Sequence, residues 1–338
     1  MRIGVLAPPW APVPPRLYGG IELVVDLLAR GFLAAGHEVV LYTTGDSTCP
    51  VERRFVLDTS QGHRIGAAVP ELRHVLHAYE DLADCDLIHD HTLMGPIHGA
   101  SLGMPIATTV HGPLAPDMRD LYSRIARGAS VICISQAQHA AAPEVPIARV
   151  IHHGIEAADF DAGPGDGGYV AFLGRMAADK GAHRAIDAAR KAGLPIRLAA
   201  KMREEPERRY FEAEVEPLLG EDAVFLGEVP HEEKLELLRG ASALLFPIRW
   251  NEPFGMVMLE AFACGTPVIA FPEGAAPEVV EDGVTGFLVH SVAEMAAAIG
   301  RLGQVDRAAC RAAVESGPFS AARMVADHLA LFESLVER

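Results

Sequence analysis

The chain has 338 residues, a length that can fill the cores of two domains. Hydrophobic residues make up 50% of it and charged residues 22%, which is typical of a globular protein rather than a disordered one. The formal net charge of −16 argues against a nucleic acid partner and against a polybasic membrane anchor.

The number of cysteines and the residues at the start of the chain indicate the cellular compartment that we expect for the protein. The five cysteines are odd in number and form no C-x-x-C motif, which does not favour a disulfide framework. The first apolar run ends at Pro8, which is too soon for a signal peptide or a membrane span. We therefore expect a protein of the reducing cytoplasm with no integral membrane segment.

Strand and helix signals alternate in the N-terminal half, which indicates an α/β protein with parallel sheets. A strand is predicted at residues 3–7, and a helix with apolar residues at helical spacing is predicted at residues 21–35 before Gly36. Further short apolar runs that predict strands lie at residues 38–43, 86–89, 105–110 and 130–134.

A stretch rich in Gly, Asp and Pro at residues 156–168 lacks apolar periodicity and separates two series of elements. The second series of predicted strands lies at residues 169–173, 196–200, 223–226, 243–246 and 268–270, before a last helix at 321–336. The predicted domains are residues 1–160, completed by residues 318–338, and residues 161–317. Ligands of open α/β sheets bind beyond the carboxyl ends of the strands, so functional residues are expected there.

Two glutamates, Glu252 and Glu260, stand out in the segment W-N-E-P-F-G-M-V-M-L-E-A-F-A-C-G. Residues 255–263 predict a buried helix that is apolar except for Glu260, and a buried carboxylate needs a partner. The start of this helix offers unpaired backbone N–H groups and the positive end of a dipole, which form an anion site. The residues of this anion site are Phe254, Gly255, Met256 and Val257.

Carboxylates on either side of this anion site can accept hydrogen bonds from sugar hydroxyls. A nucleotide-sugar fits such a site, because its anionic diphosphate lies between two rings that carry hydroxyl groups. The alternative is that Glu260 pairs with an arginine and that Glu252 lies in water.

Arg175 and Lys180 lie five positions apart on a glycine-flanked turn that follows the first strand of the second series. Both cations can reach one diphosphate and can stabilise the negative charge that grows on it when a sugar departs. The alternative is a surface loop with two solvated charges.

Gly19 and Gly20 join the first strand to the first helix and allow the backbone to approach a ligand. The pattern is not G-x-G-x-x-G, so it does not predict a nicotinamide cofactor. A plain strand–helix turn is the alternative.

His111 ends a predicted strand and is followed by Gly112. A histidine at the carboxyl end of a strand is a candidate ligand contact, or else a satisfied polar residue. The sequence His89-Asp90-His91 lacks a third ligand at convincing spacing, and the D-x-D at residues 84–86 precedes its strand instead of following it. We therefore predict no metal site.

Several motifs, which follow one another along the chain in the order expected for the family, make it similar to the retaining glycosyltransferases of glycosyltransferase family 4. Glu252 and Glu260 form the E-x7-E signature of that family. The other matches are H-G at 111–112, G-R-x4-K-G at 174–181, G-x-x-P-E-V-V at 274–280, D-G-x-x-G-x-L at 282–288, and P-F-S at 318–320 without the usual Trp.

The resemblance implies the GT-B fold, in which two Rossmann-like domains face each other across a cleft and the C-terminal helix crosses back to the N-terminal domain. It implies an acceptor site in the first domain and a donor site in the second. Glu260 would hold the ribose hydroxyls and Glu252 the sugar hydroxyls, while Arg175 and Lys180 would hold the diphosphate.

The remaining roles are also implied by the resemblance alone. His111 would contact the donor sugar near the reacting carbon, and Gly19 and Gly20 would lie over the donor phosphate. The backbone of the loop that contains Gly227 and Val229 would pair with the edge of the nucleobase.

We therefore expect a retaining, metal-independent hexosyltransferase that uses a nucleotide-diphosphate sugar, with uridine as the expected nucleoside, and no cofactor. The acceptor is not identified by the sequence. One alternative is a GT-B-fold nucleotide-sugar 2-epimerase, although its catalytic carboxylate set is not found. The other is a non-catalytic subunit that binds nucleotide-sugars, although both cations and both glutamates are present.

Overall fold

The structure, a computed structural model, describes residues 1–17 and 19–337; Tyr18, in the predicted glycine turn, lies outside them. The chain divides into two compact units. The first unit comprises Met1–Gly154 and Ala321–Arg338, and the second comprises Ile155–Ser320. The sequence predicts the boundary after residue 160 and the return at residue 318.

The first unit is built on a parallel sheet with helices between its strands. Its strands are β1 (Arg2–Leu6), β2 (Glu38–Tyr42), β3 (Glu52–Arg54), β4 (Leu87–Asp90), β5 (Ile106–Val110), β6 (Ser130–Cys133) and β7 (Ile147–Val150). Within the described residues they form one sheet in the order β3-β2-β1-β4-β5-β6-β7. The central strands are buried along most of their length, as expected for a sheet covered on both faces.

The helices between these strands follow the predicted alternation. They are α1 (Gly20–Ala34), α2 (Ala68–Asp81), α3 (Gly95–Gly99), α4 (Pro116–Ile125) and α5 (Gln136–Ala140).

The second unit repeats the same architecture. Its strands are β8 (Val170–Arg175), β9 (Ile196–Lys201), β10 (Ala223–Gly227), β11 (Leu244–Phe246), β12 (Val268–Ala270) and β13 (Gly286–Leu288). Its helices are α6 (Ala182–Ala192), α7 (Glu205–Tyr210), α8 (His231–Gly240), α9 (Met256–Ala263), α10 (Ala276–Val279), α11 (Val292–Ile299) and α12 (Arg307–Glu315). The strands lie in the order β10-β9-β8-β11-β12-β13, and their pairings are parallel.

Both sheets therefore have Rossmann-like strand order, with the direction of winding reversed beside the first strand. The reversal occurs between β1 and β4 in the first unit and between β8 and β11 in the second. Open α/β sheets bind their ligands at this switch point, beyond the carboxyl ends of the two strands. Functional residues are therefore expected on the loops after these strands.

The last helix, α13 (Ala321–Val336), belongs to the first unit although it follows the second in the chain. It packs against α1 so closely that a Cβ atom at Gly31 would overlap the side chain of Val325. Phe32 and Phe332 meet edge to face in the same contact, with ring centroids 5.4 Å apart. The expected return of the C-terminal helix to the N-terminal domain is confirmed.

The structure contains three strands that the sequence did not predict: β3, β7 and β13. β3 and β7 lie at the two edges of their sheet, and their middle residues are exposed, so neither carries an apolar run. β13 is only three residues long and follows a turn. Among the described residues, no helix combines the length and the apolar character needed to cross a membrane.

Candidate active site

The loops after β8 and β11 meet at the switch point of the second unit, because these two strands are neighbours in its sheet. Arg175 is the last residue of β8, Lys180 lies on the loop after it, and Glu252 lies on the loop after β11. The sheet therefore brings together charged residues that are more than 70 positions apart in the sequence.

Lys180 and Glu252 form a buried ion pair between these two loops. The Nζ atom of Lys180 donates a hydrogen bond to Oε2 of Glu252, and the side chains are 13% and 11% exposed. The indole N–H of Trp250 donates to the same carboxylate oxygen at 3.0 Å. The ammonium group also lies 4.5 Å from the centre of the Trp250 ring, in a cation–π contact. Glu252 is therefore not a solvated loop residue.

Arg184 on α6 holds the two loops together through their backbone. Its guanidinium donates to the carbonyl oxygens of Ala178 and Asp179 on one loop and to that of Pro247 on the other. The backbone N–H of Arg249 also donates to the carbonyl of Asp179 at 2.7 Å. The relative position of Lys180 and Glu252 is thus fixed by hydrogen bonds that do not involve their own side chains.

The loop after β12 supports Glu252 from a third direction. The backbone N–H of Ala275 donates to the carbonyl of Glu252 at 3.0 Å. Gly274 adopts a left-handed conformation with φ +57°, and a Cβ atom there would overlap the backbone N and O of Glu252. Only glycine allows this approach, which explains why the motif at residues 274–280 begins with it.

The start of α9 lies directly after Glu252. Gly255 precedes the helix with φ +89°, and a Cβ atom there would lie 2.9 Å from the methyl carbon of Met258. The first residues of the helix, Met256 and Val257, have no helical partner for their N–H groups, because no turn precedes them. Phe254 is 2% exposed and anchors the loop in the core. The helix start on which the anion site was predicted is therefore present, and anion binding there stays a prediction.

Glu260 lies one turn into α9 and is 6% exposed. Its Oε1 atom accepts a hydrogen bond from Nζ of Lys234 at 2.6 Å, and Lys234 comes from α8. The partner that a buried carboxylate requires is thus a lysine rather than the arginine of the alternative interpretation. Lys234 could not be identified from the sequence, because one lysine in the charged segment H-E-E-K-L-E carries no local signal.

Arg175 is held less tightly than the two lysines. Its guanidinium nitrogens lie 3.5 Å from a carboxylate oxygen of Asp179 and 3.9 Å from one of Glu207. Both distances exceed a good hydrogen bond, so charge rather than directed bonding holds the side chain. The Arg175 side chain is 33% exposed, which leaves it accessible to an anion.

Gly227 is the last residue of β10, the edge strand on the far side of β9, and Val229 lies on the loop after it. Gly227 has φ +79°, a left-handed conformation that turns the chain out of the strand. The structure thus places these two residues at the expected edge of the sheet, two strands away from Arg175.

In the first unit, Gly19 and Gly20 lie at the start of α1. A Cβ atom at Gly19 would lie 2.6 Å from Cβ of Pro15, whereas one at Gly20 would meet no atom within 4 Å. Glu22, in the first turn of the helix, is 6% exposed, and its burial raises the pKa of its carboxyl group to about 7. Gly19 is therefore required by packing, and Gly20 leaves open space beside the helix start.

His111 follows β5 and lies between two other histidine rings. Its ring is stacked with those of His91 and His153, at centroid distances of 5.1 and 5.4 Å. Its Nε2 atom is 2.8 Å from Nδ1 of His91, which is a hydrogen bond. Burial lowers the pKa of His111 to about 3, so its imidazole is neutral at physiological pH.

Gln138 on α5 fixes the backbone around His111. Its side-chain amide donates to the carbonyl oxygens of Val110 and Gly112 at 2.9 and 2.7 Å. Its side-chain oxygen accepts from the N–H of Ile134 at 2.8 Å. Gln138 could not be identified from the sequence, because a glutamine in a short helix has no signature of its own.

Within residues 1–17 and 19–337, no group of three or more His, Cys, Asp or Glu side chains is arranged to hold a metal ion. His89 and His91 instead bond to Thr109 and His111, at 2.8 Å each.

The two Rossmann-like units have the GT-B fold, and the matching family models make the chain a glycosyltransferase that takes its sugar from a nucleotide-sugar. Family models agree along most of the chain: Glycosyltransferase Family 4 matches residues 18–159, and Glycosyl transferases group 1 matches residues 156–305. The chain belongs to the group 1 glycosyltransferases of family 4.

Similar proteins support this family. An uncharacterized glycosyltransferase of Methanocaldococcus jannaschii is 27% identical over 329 residues, covering 82% of this chain and 83% of the relative. The D-inositol 3-phosphate glycosyltransferase of Acidothermus cellulolyticus is 34% identical over 181 residues, which cover 46% of this chain and only 40% of that enzyme.

Solved structures show the same fold. The sucrose-phosphate synthase of Thermosynechococcus elongatus has a TM-score of 0.80 at 22% identity, and the match covers 100% of this chain and 99% of the synthase. Anabaena HepE, solved with UDP and glucose, has a TM-score of 0.77 at 22% identity, and the match covers 99% of this chain and 100% of HepE. At these identities the likeness establishes the fold alone.

The packing of Gly274 against Glu252 gives a testable prediction. Gly274→Ala should lower the melting temperature more than Gly283→Ala does. Both glycines have positive φ, of +57° and +77°, so both substitutions carry a backbone penalty of about 1–2 kcal/mol. Only at Gly274 does the new Cβ also overlap backbone, since the space around Gly283 is open. Equal melting temperatures for the two variants would contradict the described approach.

Proposed function

We propose that the protein is a retaining, metal-independent hexosyltransferase whose donor is a uridine diphosphate hexose. The observation that carries the proposal is the pair of buried carboxylates, Glu252 and Glu260, on either side of the α9 start. Each carboxylate has a lysine partner. The site thus has two carboxylate acceptors with the N–H donors of the helix start between them. A nucleotide-sugar matches this order, because its diphosphate lies between two rings that carry hydroxyl groups.

The nucleoside half of the donor is assigned to Glu260. Its carboxylate accepts hydrogen bonds from the ribose hydroxyls, and Lys234 holds that carboxylate in place. Gly227 and Val229 offer backbone groups to the edge of the base. Support for uridine comes from HepE, a structure of the same fold that was solved with UDP and with UDP-glucose.

The sugar half is assigned to Glu252. Its carboxylate already accepts hydrogen bonds from an ammonium and an indole N–H. Sugar hydroxyls are donors of the same kind and can replace the ammonium when a donor binds. His111 is assigned to the reacting sugar, and Gly19 and Gly20 to the donor phosphate, on the basis of the family resemblance.

The diphosphate is assigned to Arg175, Lys180 and the N–H groups of Met256 and Val257. Negative charge on the leaving phosphate increases as the bond to the sugar breaks, and fixed cations stabilise that charge. In the proposed retaining mechanism, the departing phosphate takes the proton of the acceptor hydroxyl on the same face of the sugar. The sugar carbon exchanges its bond to the phosphate oxygen for a bond to the acceptor oxygen, so no separate general base is needed.

A donor screen followed by product analysis tests the proposal. Melting-temperature shifts with UDP-, GDP- and ADP-linked glucose and mannose should be largest for a UDP-hexose. Proton NMR of the fresh product then reads the anomeric coupling, which should match that of the donor. An inverted product would reject the retaining mechanism, and a larger shift with GDP- or ADP-sugars would reject the uridine assignment.

The two glutamates should affect different parts of the donor. Glu260→Ala should weaken UDP binding, because ribose hydroxyls lose a charged acceptor and such hydrogen bonds contribute roughly 1.5–3 kcal/mol each. Glu252→Ala should not weaken UDP binding, since it releases Lys180 to the phosphates, but it should weaken UDP-glucose binding. Calorimetric titration of both ligands measures this, with the exposed Glu233→Ala as control. Equal losses of UDP affinity in both glutamate variants would overturn the assignment.

The protein rather than a metal should supply the positive charge at the leaving group. Activity should therefore survive EDTA, whereas Lys180→Ala should lower kcat by at least ~10²-fold, the scale of removing one electrostatic stabiliser. Initial rates of UDP release, with and without EDTA and added Mn²⁺, measure both effects. Loss of activity in EDTA with recovery in Mn²⁺, or near-normal turnover of Lys180→Ala, would contradict this mechanism.

A further inference from the structure

His91 and His111 are joined by a hydrogen bond at the carboxyl edge of the first sheet. They follow β4 and β5, which are neighbouring strands, and Nδ1 of His91 lies 2.8 Å from Nε2 of His111. His91 is 4% exposed, whereas His111 is half-buried. One ring is thus enclosed by protein, and the other keeps part of its surface open.

The hydrogen bond allows two arrangements of the protons. In one, His91 donates from Nδ1 and His111 accepts at Nε2, which leaves His111 with a proton on Nδ1. In the other, His111 donates from Nε2, and the proton of His91 must then sit on its own Nε2 atom. A neutral imidazole carries one proton, so the partner of the remaining nitrogen decides between them.

The Nε2 atom of His91 is buried and has no hydrogen-bond partner among the described residues. An N–H group there would be an orphaned buried donor, which proteins rarely tolerate. An unprotonated Nε2 atom in the same place is an acceptor without a donor, but it buries no unpaired N–H group. The network therefore favours the arrangement in which His91 donates to His111.

The surroundings of the two rings keep both neutral. The titratable groups that face them are also imidazoles: His89 on β4, His153 after β7 and His328 on α13. Burial holds the pKa of each of the five below its ordinary value. A positive charge on His111 would lie among neutral imidazoles that supply no compensating negative charge, so His111 does not act as a cation.

We propose that His91 is a positioning residue that fixes His111 as a single neutral tautomer, with Nδ1–H free to donate a hydrogen bond to the substrate. The inference rests on the proposed function, which assigns His111 to the reacting sugar. It adds that His111 acts as a hydrogen-bond donor rather than as a base, and that the donor is set by a residue that need not touch the substrate. Gln138 contributes by holding the backbone on both sides of the ring.

The tautomer can be read directly in the full-length protein without any substrate. Long-range ¹H–¹⁵N NMR of histidine-labelled protein distinguishes protonated from bare ring nitrogens, and His111→Gln identifies the signals of His111. We expect Nδ1 of His111 to be protonated and Nε2 to be bare. In His91→Leu both tautomers should appear, and in His91→Asn, whose amide reaches the former Nδ1 position, the single tautomer should return. A protonated Nε2 in the wild type would overturn the proposal.

Kinetics with UDP-glucose as the probe then test the consequence. His91→Leu should lower kcat about tenfold with little change in KM, a typical effect of removing a residue that orients a functional imidazole. His91→Asn should restore kcat, and the exposed His77→Asn should leave kcat and KM unchanged. If His91→Leu does not fold, His91→Gln replaces it, since its longer amide misses the same position.

A double-mutant cycle separates this inference from the proposed function. His91→Leu should have no further effect in a His111→Gln background, because it acts through His111. If His111→Gln leaves kcat unchanged, the proposed role of His111 fails, and the NMR result alone decides the tautomer. If His111→Gln lowers kcat while His91→Leu does not, or if the two losses simply add, the positioning role of His91 fails.

Discussion

The buried ion pair between Lys180 and Glu252 is the interaction on which the proposed donor site depends. It joins the loops after β8 and β11, and these loops are adjacent only because the winding of the sheet reverses between those strands. Taking both charges out of water costs several kcal/mol per ion, so the pair persists only with further support. Trp250, Arg184 and Gly274 provide that support through the carboxylate, the loop carbonyls and the backbone of Glu252.

Much of the fold could be predicted because its signals are local. The central strands are apolar runs buried on both faces, and the last helix was predicted at the bounds where the structure has it, 321–336. The E-x7-E signature lies within a single loop and helix, so Glu252 and Glu260 could be found without knowing any partner. The edge strands β3 and β7 could not be found, because their exposed, polar residues lack the pattern of a buried strand.

The partners of the predicted residues could not be found in the same way, because the fold alone brings them together. Lys234 meets Glu260 only through the packing of α8 on α9, and nothing in its own segment distinguishes it from other surface lysines. His91 was considered as a metal ligand because its nearest histidine in sequence, His89, is two positions away. Its actual partner is His111, twenty positions away on the next strand.

The Lys180–Glu252 pair has a consequence for how the proposed enzyme releases its spent nucleotide. A phosphate that draws Lys180 towards itself leaves Glu252 as a buried carboxylate without its cation, which costs about 3–5 kcal/mol. The hydroxyls of an intact donor sugar compensate that carboxylate, but the nucleoside diphosphate left after transfer has no sugar to do so. Glu252 therefore competes with the phosphate of the product for Lys180. The affinity for the nucleoside diphosphate falls after transfer without any change in the shape of the site.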